Sequence, residues 1–155
     1  MKLTVNDLYA MNPPDGSNPL KETYEAGLPF KVSMTIKRLT DDVTKELGIV
    51  DPERVKLVTE YGKPKKDAKG KVVPNMYITP ILGAKNFKEW DEKITEFGNT
   101  FVEVTYSPID LDKLADDMGD KIVKGDFVSI VDQLNKIHER EAEEAKKPKE
   151  KEVTQ

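Results

Sequence analysis

Five apolar residues, Val32, Ile36, Leu39, Val43 and Leu47, recur at spacings of four, three, four and four. Those spacings line up one face of a helix with about 3.6 residues per turn. The sequence therefore predicts a helix over 29–47. Pro29 suits its first turn, where a missing N–H costs nothing. Lys31, Lys37, Asp41, Asp42, Lys45 and Glu46 fall mostly off the stripe and are expected in solvent. Gly48 is a plausible stop. Asp51-Pro52-Glu53-Arg54 then reads as a new start, with the Asp51 carboxylate capping an early backbone N–H. Val55, Val58 and Tyr61 continue an apolar face, and Gly62 ends it. An interior proline kinks a helix as readily as it ends one, so residues 29–61 form either two helices or one.

The flanking segments are less periodic. Leu3, Val5, Leu8 and Tyr9 suit a short strand or an apolar anchor. Residues 12–19 hold three prolines and a glycine and read as a loop. Lys63 to Lys71 reads as a charged, hairpin-like loop. Val72 to Thr79 is rich in strand formers, and Pro74 makes it an edge or bulged strand. Asn86 is expected to cap a helix ending at Phe97, with Phe87, Trp90, Ile94 and Phe97 on one stripe. Thr100 to Tyr106 is the strongest strand, with Val102, Val104 and Tyr106 on one face. Asp110 to Met118 suggests a short helix with Leu111, Leu114 and Met118 inward, ended by Gly119. A last helix capped by Asp126 turns Phe127, Ile130, Val131, Leu134 and Ile137 inward. From Glu139 to Lys147 it continues in solvent, helped by a Glu143–Lys147 pair. Pro148 breaks it, and 149–155 have almost nothing to bury.

This pattern predicts an α+β fold: a helix-dominated single domain with a small two-stranded antiparallel sheet packed on helices. The expected organisation is an N-terminal extension with a Pro-rich loop (1–27), a globular domain (28–138), and a charged helical extension with a disordered tail (139–155). The core is expected on three stripes: the one over 32–47, Phe87/Trp90/Ile94/Phe97, and Phe127/Ile130/Leu134.

Chemistry is sparse. The chain of 155 residues has no cysteine, so disulfides, thiolate metal sites and a cysteine nucleophile are excluded. Its single histidine, His138, reads as a solvated residue near the end of the last helix. Neither a catalytic triad nor a histidine metal pair is expected. Asp110, Asp112, Asp116, Asp117 and Asp120 are the best metal candidates, because hard cations take carboxylate oxygens. The opening Asp110-Leu111-Asp112 resembles the start of a calcium loop. Leu114 then occupies the place of a third oxygen ligand, and Ala115 that of the turn glycine, so a solvated helix face is expected. Glycines form no phosphate cradle. No cofactor, resident metal or catalytic residue is expected, and the chain reads as non-enzymatic.

Lys63, Lys65, Lys66, Lys69 and Lys71 form a basic run that suits phosphate or an acidic partner. The chain as a whole carries a net charge of −4, and the run has no arginine. Nucleic acid is therefore the less expected partner. No apolar run reaches the ~18 residues of a membrane span. No secretory signal opens the sequence, so the expected location is the cytoplasm or a particle assembled there.

A set of local patterns resembles a known family. It comprises Leu28-Pro29-Phe30-Lys31-Val32, then Lys37 and Leu39, Glu53-Arg54-Val55-Lys56-Leu57 and Glu60-Tyr61-Gly62. After the charged loop come Asn86-Phe87, a strand, Pro108-Ile109-Asp110-Leu111, and Gly125-Asp126-Phe127 to Leu134. Over about residues 28–135 this resembles small uncharacterised proteins of tailed bacteriophages and prophages, mostly of Gram-positive hosts. The resemblance implies a phage product acting through protein–protein contacts, as a virion structural or assembly component. The alternative is a soluble binder that inhibits or redirects a host protein. Its implied partners are other phage structural proteins, a host protein, or further copies of itself in a homo-oligomer. Its implied location is the host cytoplasm or the virion.

Overall fold

In a computed structural model, which describes residues 1–13, 27–119 and 125–146, the chain begins with β1 (Lys2–Thr4), α1 (Val5–Met11) and α2 (Phe30–Tyr61). It continues through β2 (Lys63–Lys66), β3 (Val72–Ile78), α3 (Phe87–Gly98) and β4 (Phe101–Glu103). It closes with α4 (Leu111–Met118) and α5 (Gly125–Lys146). The fold is helix-dominated α+β. The strands form two separate two-stranded antiparallel sheets, β1 with β4 and β2 with β3. The stretches at 72–79 and 100–106, the two strands the sequence offers, therefore do not pair with each other. Each takes a partner from a segment with weak strand character.

Residues 30–61 form one helix, with Pro52 inside it. Pro52 leaves the Gly48 carbonyl without its helical partner, and Gly48 is exposed, so water can serve instead. Gly48 is thus no stop, and Gly62 is the C-cap. Asp51 caps nothing. Its Oδ1 accepts from the Tyr9 hydroxyl at 2.8 Å and from Arg54 Nε at 2.7 Å, which ties α1 to α2 beside the proline. Ile36, Leu39 and Val43 are buried, with Val32 and Leu47 packed against them from the ends of the stripe.

The first eleven residues are no extension of the domain. Leu3, Val5 and Leu8 are at most 1% exposed, and Met11 is buried. Each such side chain contributes about 1.5–3 kcal/mol on leaving water. Leu3 pairs with Val102 across β1 and β4, and Val104 N–H donates to the Met1 carbonyl at 2.9 Å. The Thr4 side chain caps α1 at the Asp7 N–H, and the Asp7 carboxylate accepts from Thr4 N–H in return. This reciprocal cap starts a helix of only seven residues directly from the strand.

The core joins these N-terminal residues to the α2 stripe, to Val104, Tyr106 and Ile109, to Leu114 and Met118, and to Phe127, Val131 and Leu134. The alternation expected in 100–106 holds, although the paired strand is only three residues long. The α3 stripe is not a core centre. Trp90 is buried, but Phe87, Ile94 and Phe97 are only half-buried. The helix lies to one side, against the end of α2 and against α1.

Polar side chains fix the connections. Asn135 Oδ1 accepts from the Tyr106 hydroxyl at 2.7 Å and from Ile109 N–H at 3.1 Å. Its Nδ2 donates to the Ile109 carbonyl at 2.8 Å, so one amide satisfies both backbone groups of Ile109. Burial raises the Tyr106 phenol to about 12. Asp42, expected in solvent, accepts from Thr105 N–H at 2.7 Å. Glu141 lies past the apolar stripe of α5 yet accepts from Lys2 N–H, and its other oxygen stands 3.9 Å from the terminal amine. The charged end of α5 thus partly joins the domain. The proline-rich residues 14–19, Asp120, and the tail from Lys147 onward lie outside the described residues, as does the Asp126 side chain.

Candidate interaction surface

The basic run forms one arm and the turn of the β2–β3 hairpin. Asp67 N–H donates to the Lys71 carbonyl, and Gly70 N–H to the Asp67 carbonyl, each at 2.9 Å. Asp67 Oδ1 accepts from the N–H groups of Lys69 at 2.8 Å and Lys71 at 2.9 Å. Gly70 takes a φ of +78°, which a side chain would strain. The only acid in the run is therefore spent on the turn. Lys63, Lys65, Lys66, Lys69 and Lys71 are all exposed, and among the described residues none of their ammonium groups has an ion pair. Lys63 to Lys71 has a net charge of +4 in a chain of −4, so the other residues carry −8.

The strand opposite is bulged, as Pro74 predicts. Pro64 faces Tyr77, but Lys66 already faces Val72, so β3 has extra residues in between. Val72, Met76 and Ile78 are 51%, 46% and 57% exposed. The loop after β3 adds Ile81 at 73% and Leu82 at 84%. Lys63 lies directly across from Ile78, which places a cation beside this apolar surface.

The root of the hairpin is braced. A Cβ at Gly62 would stand 2.4 Å from the Val58 carbonyl oxygen and 3.3 Å from Tyr77 Cβ, so only glycine lets the chain leave α2 there. The Tyr61 ring lies 6.1 Å from that of Trp90, and its hydroxyl donates to Glu89 at 2.9 Å. That bond to a carboxylate raises the Tyr61 phenol to about 12. Asn86 precedes α3 as expected but does not cap it with its side chain. Its Nδ2 donates instead to the Tyr61 carbonyl at 3.0 Å. Between the root and the 79–86 loop lies an open groove of about 460 Å³, lined by Tyr61, Lys63, Ile78, Ile81, Lys85 and Asn86 among others.

The other candidate residues do not gather. Asp110 caps α4 by accepting from Lys113 N–H at 2.9 Å, and Asp117 pairs with Lys113 Nζ at 3.1 Å. Asp112 and Asp116 are exposed. No three potential ligands come together among the described residues. His138 is half-buried on α5. Among the described residues no helix is long and apolar enough to cross a membrane.

The exposed apolar partners of the lysines escaped the sequence reading. The edge or bulged strand expected at 72–79 carries no reading of which side chains stay uncovered, and Ile81 and Leu82 belong to no periodic element. The available signal was the proline in β3 and the short, lysine-rich segment before it, which together leave little to cover that face. No family model, curated protein or solved structure matches the chain.

Proposed function

We propose that this chain is a non-enzymatic bacteriophage protein acting through protein–protein contacts, as a structural or assembly component of the virion. It would act in the host cytoplasm and in the particle assembled there. The phage setting rests on the resemblance over residues 28–135. The contact role rests on one observation: the β2–β3 hairpin presents exposed Met76 and Ile78, with Ile81 beside them, next to lysines that have no carboxylate partner among the described residues. An apolar patch rimmed by charge suits association with another protein. Tyr61 and Tyr77, the aromatic residues nearest the lysines, are half-buried and offer little face for base stacking.

A second reading is a soluble binder that inhibits or redirects a host protein. The arm favours it in one respect, since a single projecting face suits a one-to-one complex. Light scattering at low and high salt separates the two. A discrete oligomer that survives salt and is lost in Met76→Ser/Ile78→Ser supports the assembly role. A 17.5 kDa monomer in both salts favours the binder. An oligomer indifferent to the hairpin substitutions overturns the assignment of the contact surface.

A further inference from the structure

We infer that the groove at the hairpin root is the docking site for an extended acidic segment of a protein partner, one that carries an apolar anchor side chain. The inference rests on the contact role proposed above and specifies its chemistry. The lining includes Ile78 and Ile81, 57% and 73% exposed, together with Lys63 and Lys85. Among the described residues neither lysine has an ion pair, whereas nearby Lys88 faces Glu92 at 3.8 Å. Of the three other polar side chains of the wall, two are already engaged, Tyr61 by Glu89 and Asn86, through its Nδ2, by the Tyr61 carbonyl. What remains free is apolar surface, the Thr79 hydroxyl and two ammonium groups.

That set of groups selects the occupant. The apolar lining takes an aliphatic or aromatic side chain, which a nucleic-acid backbone lacks. The lysines take carboxylates on either side of it, and charge complementarity sets the orientation. Strand addition to the hairpin is disfavoured, because Pro64 and Pro74 remove backbone donors from both strands. Recognition therefore falls to side chains in the groove. A second copy docking two-fold through the same surface would set lysines against lysines, which disfavours that symmetric contact.

The test is an NMR titration of the ¹⁵N-labelled full chain with a twelve-residue peptide of Asp and Glu around a central Leu-Phe pair. Controls are the same peptide with Ser-Ser at its centre and an oligo(dT) of equal length. The expected result is shifts confined to residues 61–63 and 78–86. Binding should weaken about tenfold or more in Lys63→Glu/Lys85→Glu and in Ile78→Ser/Ile81→Ser. It should hold in Lys69→Glu, at the hairpin turn. Equal binding of the Ser-Ser peptide, tighter binding of oligo(dT), or no shift would overturn the inference. Light scattering on the same variants separates this failure from failure of the contact role. A wild-type oligomer that the groove variants dissolve, without peptide shifts, leaves the contact role standing and makes a second copy the occupant. No response in either measurement removes both this inference and the assembly role.

Discussion

Tyr9 donates its hydroxyl to Asp51, 42 residues away, at the residue that immediately precedes the proline inside the longest helix. Arg54 donates to the same carboxylate oxygen, and its guanidinium lies 5.8 Å from the centre of the Tyr9 ring. The bond from Arg54 lowers the Asp51 carboxyl below its ordinary value. Burial, then the bond to Asp51, pushes the Tyr9 phenol to about 12. These three groups hold α1 against α2 where the proline has removed a backbone bond.

The pH dependence follows in sign. A phenol whose folded pKa is raised contributes stability below about 10, lost as pH rises toward about 12. Tyr9 and Tyr106 both act in this direction. Stability measured by urea unfolding should fall steadily across that window, and the fall should be smaller in Tyr9→Phe. Asp51 acts at the other end. Its contribution is present above the ordinary carboxylate range and fades as pH drops below 3.8. An unfolding free energy that is flat above pH 10 would contradict the assignment.

Asn135→Ala removes both partners of the Ile109 backbone and the acceptor of the Tyr106 hydroxyl. Leaving such groups unpaired costs about 1–3 kcal/mol each when water cannot reach them. A total loss of about 3 kcal/mol is expected, seen as a lower urea midpoint with an unchanged slope. A loss near zero would show that water replaces the amide.

Two glycines of one helix region should respond with opposite signs. At Gly48 a Cβ meets nothing within 4 Å, so Gly48→Ala should stabilise by about 0.5–1 kcal/mol through helix propensity. At Gly62 the Cβ would strike the Val58 carbonyl oxygen, so Gly62→Ala should destabilise and disturb the hairpin root. Thermal melts of the two variants check the pair directly.

Core and surface apolar residues of α2 should separate as clearly. Ile36 and Leu39 are 0% exposed, and either one changed to Ala should cost about 2–5 kcal/mol. Ile49 is 60% exposed, and Ile49→Ala should cost under about 0.5 kcal/mol. Comparable losses at Ile36 and Ile49 would contradict the placement of the stripe.

The helices were legible because their burial follows a local period. Ile36, Leu39 and Val43, or Phe127, Val131 and Leu134, need only their own segment to be recognised. The sheets were not, because each uses a segment with little strand character: Lys2–Thr4, paired with a strand about a hundred residues away, and the lysine-rich Lys63–Lys66, paired across a local turn. Asp42, Asn135 and Glu141 look like ordinary surface residues in sequence, since nothing local marks the backbone groups they satisfy. At the candidate surface the lysines were readable as a run. Their apolar neighbours were not, because exposure depends on what fails to cover them.

The pairing of β1 with β4 also sets the order in which the molecule can assemble. Residues 2–4 meet 101–103, and Glu141 closes over Lys2. Residues 2–4 must therefore wait, unpaired, until 101–103 and then Glu141 have been made. The apolar residues Leu3, Val5 and Leu8 are left open to solvent meanwhile, while α2 can form early from local bonds. Closing so long a loop is slow, and the final step of folding should be the docking of the N-terminus. Destabilising Leu3 should then speed unfolding with little effect on the folding rate.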